Sequence, residues 1–149
     1  MKCRITKEHV WGGVLEDRPG ALAEKLQALS EGGLNLELII GRREGAGRGL
    51  LLISPLRTMH QLDVVERAGL LRDNPIPTLR IEAPNVIGLG ARITGALARA
   101  GINIQSYSGL ALGEHSITNI AFDSDEEGDR AKAVLEEMFS SWHPEQPAG

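Results

Sequence analysis

Asp17–Leu36, DRPGALAEKLQALSEGGLNL, and Asn85–Ile104, NVIGLGARITGALARAGINI, are the two stretches that decide how this chain folds. Set side by side at an offset of 68, they share Gly20/Gly88, Ala23/Ala91, Ala28/Ala96, Leu29/Leu97, Gly33/Gly101 and Asn35/Asn103, six identities in twenty positions. Leu34/Ile102 and Leu36/Ile104 are conservative. Alanine and leucine recur in any helix, so the glycines and asparagines carry the comparison. An internal repeat governs the whole reading, because overlooking one misassigns the fold.

The flanks keep the same spacing. His9–Glu16 matches Pro77–Pro84, and Leu50–Ser54 (LLLIS) matches Thr118–Phe122 (TNIAF), all strand-like. In the first helix Leu22, Leu26 and Leu29 make one apolar stripe. Pro19-Gly20 suits its start and Gly32-Gly33 its end. Leu34, Leu36, Leu38 and Ile40 then alternate as a half-buried strand, and Arg42–Gly49 reads as a mobile, basic hairpin tip. The stripe of the second copy, Leu89, Ile93, Ala96, Leu97 and Ala100, starts one residue out of phase, which predicts a slightly different helix rotation. Second helices follow around Leu62, Val64 and Val65, and around Ala131, Val134, Leu135 and Met138.

Each half thus reads strand, helix, strand, hairpin, strand, helix. The expected class is α+β, as two ferredoxin-like βαββαβ units with antiparallel sheets and helices on one face. The expected division is residues 1–74, residues 75–140 and a C-terminal tail, 141–149. A full unit needs a fourth strand after its second helix. Leu70–Pro77, Ser140–Gly149 and the N-terminal Lys2–Ile5 are the segments available for it.

Bulk composition narrows the function. The 149 residues are 42% hydrophobic and 24% charged, within the globular range. Aromatics are 3%, so the core must be aliphatic. A net charge of −4 argues against a general nucleic-acid or anionic-membrane binder, which needs surplus Lys and Arg to displace counterions. Cys3 is the single cysteine, which excludes an intrachain disulfide. No apolar run suggests export or membrane insertion, so the cytoplasm is the expected compartment. The histidines, His9, His60, His115 and His143, lack ligand-like spacing, and Gly88-Leu89-Gly90 lacks the third glycine of a dinucleotide fingerprint. No nucleophile elbow or paired-carboxylate arrangement stands out, and no cofactor is expected.

A strand ending in Asp-Arg-Pro-Gly-Ala-Leu, a helix, and Gly-Leu-Asn-Leu opening the next strand resembles the ACT domain family of amino-acid-sensing regulatory modules. The second copy is similar to the ACT units of aspartokinases, and the resemblance covers about residues 8–139. It implies side-by-side pairing of units through their sheets, a homodimer, and an amino-acid effector held at the interface between units. It also allows a regulated enzyme as partner. Its effector loop falls on Asp17, Arg18, Pro19, Gly20, Ala21 and Leu22 in the first copy, and on Asn85, Val86, Ile87, Gly88 and Leu89 in the second. Asn35 with Leu36, and Asn103 with Ile104, open the following strands. The second loop lacks both the acidic residue and the proline, which predicts unequal sites.

The chemistry suits such a ligand independently of the family. The first turn of a helix leaves backbone N–H groups unpaired, which favour a carboxylate. Gly20 and Gly88 admit a ligand close to the backbone. An asparagine offers donors and an acceptor together. Plainer roles remain open: Asp17 also suits a helix cap, and Asn35 and Asn103 also suit turns. The expected function is a non-catalytic regulatory module, the alternative a ligand-free regulatory or structural subunit of a larger enzyme.

Overall fold

Each of the two anticipated helices starts where a glycine turns the chain. Gly20 and Gly88 hold left-handed backbones, with φ of 86° and 84°, and immediately precede α1 (Ala21–Glu31) and α3 (Leu89–Arg99). Neither helix has a side-chain cap, so glycine's tolerance of positive φ sets both starts. Both ends are also alike. The N–H groups of Leu34 and Ile102 donate to the carbonyls of Leu29 and Leu97, each at 3.0 Å, closing the helix through a left-handed glycine.

The computed structural model describes residues 1–70 and 75–144. In chain order the remaining elements are β1 (Arg4–Glu16), β2 (Leu38–Gly45), β3 (Arg48–Ser54), α2 (Met59–Arg67), β4 (Ile76–Pro84), β5 (Ser106–Leu112), β6 (His115–Ala121) and α4 (Asp125–Ser141). This is the anticipated α+β architecture, with antiparallel sheets. The chain forms two compact units, His9–Pro75 and Met1–Glu8 together with Ile76–Gly149. Below, these are the first and second units.

In the first unit β3 lies between β2 and the later part of β1. Trp11 faces Ile53 across one ladder and Leu38 faces Ser54 across the other. The core is small: Leu15, Leu29, Leu51, Ile53, Val65 and Leu70. Of the strand candidate Leu70–Pro77, Leu70 is buried in that core and β4 begins at Ile76, while residues 71–74 lie outside the described residues.

In the second unit the strand order is β1, β4, β6, β5, with the early part of β1 at one edge. Lys2–Ile5, one of the three candidates, thus contributes the start of its fourth strand. Met1, Cys3 and Ile5 pack against its core, and the Arg4 guanidinium reaches the Glu82 carboxylate on β4 at 2.9 Å. That core is larger, with Ile93, Leu97, Phe122, Leu135 and Phe139 all nearly inaccessible.

Several expectations need correction. The stretch 141–149 is not a tail from its first residue, since α4 runs to Ser141 and Trp142 is 7% exposed within the core. The two first helices are in phase: the buried set Leu89, Ile93, Ala96 and Leu97 matches Ala21, Lys25, Ala28 and Leu29, with Leu22 39% exposed. Lys25 takes the inner position that Ile93 fills, and satisfies its ammonium by donating to the Ala68 carbonyl at 2.5 Å.

The offset also changes within the fold. Ser54 lies opposite Leu38, and Ala121 lies opposite Ser106, so beyond the hairpins the offset is 67. The extra residue of the first hairpin is absorbed by a β-bulge between Arg43 and Gly45. Arg42 and Arg43 belong to β2, and the hairpin turns at residues 46 and 47. The alternating residues 34–36 precede β2 instead of joining it. Asp125, Glu126 and Glu127 form the first turn of α4, where their charge suits the helix dipole. No described helix is long and apolar enough to cross a membrane.

Candidate functional site

The turn between the first strand and first helix has the same backbone design in both units. The Ala21 and Leu89 N–H groups donate to the Arg18 and Val86 carbonyls at 3.3 Å, and those of Glu24 and Arg92 to the Gly20 and Gly88 carbonyls at 2.9 Å. The N–H groups between them, of Leu22 and Ala23 or Gly90 and Ala91, belong to the first turn, where the helix offers no carbonyl four residues back. The loop's other end is tied to the neighbouring hairpin, by Asp17 N–H to the Gly47 carbonyl (3.0 Å) and by Asn85 N–H to the Glu114 carbonyl (2.8 Å).

Side chains make the two loops different. In the first, Asp17 does not cap α1; its carboxylate pairs with Arg43 Nε at 2.8 Å. Arg18 is held by Glu16 and, through two nitrogens at 3.1 and 2.7 Å, by Glu24. The hydrogen bonds and charge of Arg18 hold the Glu24 carboxyl below the usual carboxylate range, and those of Glu24 and Glu16 raise the Arg18 guanidinium. A small cavity of about 260 Å³ beside this loop is lined by Glu16, Arg18, Glu24 and Arg48, so charges of the chain itself already crowd it.

The second loop carries no such network. Asn85 Nδ2 donates to the Gly113 carbonyl at 3.2 Å, Ile87 is 91% exposed, and Leu89 anchors the loop in the core. Val86 is half-buried against the same core. Beside the helix start stands Tyr107 of β5: a Cβ on Gly90 would lie 3.0 Å from its hydroxyl oxygen. The first unit solves the same packing problem the other way round, with Leu22 of α1 over Gly41 of β2. The exchange of Leu22 for Gly90 at matching positions is the sequence signal of the space that Tyr107 takes.

Asn35 and Asn103 are exposed and Leu36 and Ile104 half-buried, all in the short links into β2 and β5. These links sit at the far end of each unit from the loops. The loop is tied to Gly47 at the hairpin tip, whereas Glu37 N–H donates to the Ser54 carbonyl at the opposite end of β3. Between them stands α1, eleven residues and hence ~16 Å long. Neither unit therefore brings its own loop and asparagine together. Among the described residues no three His, Cys, Asp or Glu side chains gather as a metal site.

No family model matches the chain, and no curated protein matches it in sequence. Solved structures do. A Bacteroides thetaiotaomicron protein superimposes with a TM-score of 0.75 at 22% identity, over 89% of each chain. The ligand-free regulatory subunit of aspartate kinase from Thermus thermophilus gives 0.65 at 21% identity, over 93% of this chain and 97% of that one. The aspartate kinase regulatory subunit from Thermus flavus gives 0.60 at 21%, over the same shares. The chain has the fold of ACT-domain proteins and resembles the regulatory units of aspartokinases.

Proposed function

We propose that the chain is a non-catalytic regulatory module that binds an amino acid where ACT units meet, and that the loop at residues 85–89 is its principal binding loop. The observation that carries this is the contrast between the two loops. In the first, Asp17 and Arg18 are engaged by Arg43, Glu16 and Glu24. In the second, the same helix start stands beside an exposed Ile87 and a glycine at position 90. A ligand carboxylate fits the unpaired N–H groups at the start of α3. The exposed Asn103 suits an ammonium or carboxylate, but lies at the other end of its own unit. One ligand touching a loop and an asparagine must therefore sit between two units, which is why the reading calls for paired units, and for a homodimer.

A cytoplasmic chain of this kind acts through a partner, a regulated enzyme, because an effector shifts an equilibrium only by its differential affinity for two states. The self-paired first loop favours the alternative for that unit alone: a ligand-free, structural role. A thermal-shift screen of the amino acids tests the reading. At least one raises the melting temperature of the chain and loses that effect in Asn103→Ala. If none does so, the chain is a ligand-free subunit.

A further inference from the structure

The second unit has a feature its twin lacks: α4 spans 17 residues against nine in α2. The added turns carry Met138 and lead to Trp142, and with α3 they enclose a groove of about 660 Å³. None of its lining residues belongs to the loop at 85–89 or is Asn103. Ala96, Met138 and Trp142, all buried, make an apolar floor. Exposed Arg92, Arg99 and Glu137 make the rim.

Arg18, Arg43, Arg80 and Arg130 are all in ion pairs, but among the described residues neither Arg92 nor Arg99 has an ion-pair partner. The two arginines are seven residues apart on α3, two turns, which places them on one face ~10 Å from each other. Arg92 is steadied over the Trp142 ring, 5.4 Å from its centroid. Guanidinium groups above an apolar floor recognise a carboxylate that carries a hydrocarbon body. Glu137, on α4, repels such a headgroup and directs it to the α3 side.

We propose that this groove binds a small organic anion, its carboxylate at Arg92 and Arg99 and its hydrocarbon body over Ala96, Met138 and Trp142. This site stands apart from the amino-acid reading above, and either holds without the other.

Octanoate serves as the probe, with octanol as its uncharged counterpart, in equilibrium dialysis against the full chain. A Trp11→Phe background makes Trp142 the reporter of where the probe sits. Octanoate binds saturably, changes Trp142 emission, and binds at least ten-fold tighter than octanol. Arg99→Gln weakens it at least five-fold and Glu137→Gln tightens it at least two-fold; both residues are exposed, and far-UV circular dichroism checks that the fold persists. Added sodium chloride weakens octanoate but not octanol in the unaltered chain, an arm that needs no variant. No saturable binding, equal affinity for octanol, an Arg99→Gln chain that binds unchanged, or weaker binding in Glu137→Gln each overturns the proposal.

Discussion

The carboxylate of Asp17 lies 2.8 Å from Nε of Arg43, a contact between the first loop and β2 of the same unit. At the matching positions the second unit carries Asn85 and Ala111, so the pair has no equivalent there. The inequality between the two copies is therefore written in charge as well as in backbone.

Removing that pair tests what it does. Both partners are substantially exposed, and exposed ion pairs contribute ~0.2–1 kcal/mol. Arg43→Gln is expected to shift the urea midpoint only slightly. If the pair is what closes the first loop to ligands, the same variant gains a second, weaker effector-binding event in calorimetry.

The two packing solutions beside the helix starts are exchangeable only as sets. Gly90→Leu places a side chain where the Tyr107 hydroxyl stands, and overpacking of this kind costs ~1–3 kcal/mol. Combining it with Tyr107→Ile gives the second unit the residues, Leu22 and Ile39, that the first unit carries at the matching positions. The double variant is expected to be more stable in urea than Gly90→Leu alone, a coupling that a double-mutant cycle reads directly.

Two core positions separate close approach from simple burial. A Cβ on Gly13 would come within 2.6 Å of the Leu70 backbone, which cannot yield as a flexible side chain can. Gly13→Ala is expected to destabilise the first unit strongly. Phe139 is 1% exposed at the end of α4, and Phe139→Ala should cost ~3–5 kcal/mol through lost burial and a cavity. Chemical denaturation followed by circular dichroism checks both.

Acid sensitivity has an identifiable contributor in the second unit. Hydrogen bonds from Arg4 and then Arg80 hold the Glu82 carboxyl below the usual carboxylate range. A depressed folded-state pKa means the stabilisation is complete above the ordinary carboxylate value and is lost as pH falls through the depressed one. Arg4→Gln is expected to move the Glu82 titration, followed by carboxyl NMR, back upward and to reduce the acid-induced loss of stability. An unmoved titration contradicts the pairing.

The fold was legible because glycines with positive φ bracket each first helix, and such residues survive as visible identities at one offset. Phase was misread because Lys25 occupies an inner position: its aliphatic stem packs like a hydrocarbon while its charge reads as surface. The bulge near Arg43 was invisible because one inserted residue in a glycine-rich hairpin leaves no pattern. Trp142 stands after two serines and before His143-Pro144, and only its packing beside Phe139 and Arg92 reveals it as core. Of the candidate site, the loops and asparagines were legible as matching residues of the repeat. Their separation within each unit by the length of a helix is a three-dimensional fact that no sequence pattern carries.

The most direct test of the account is calorimetric titration of the chain with the amino acids, repeated in Asn103→Ala and Gly88→Val chains. The account predicts saturable binding of at least one amino acid to the unaltered chain. It also predicts that the affinity falls at least ten-fold in each variant while the equivalent Asn35→Ala chain is less affected. Absence of binding by every amino acid, or binding that both second-loop variants leave intact, contradicts it.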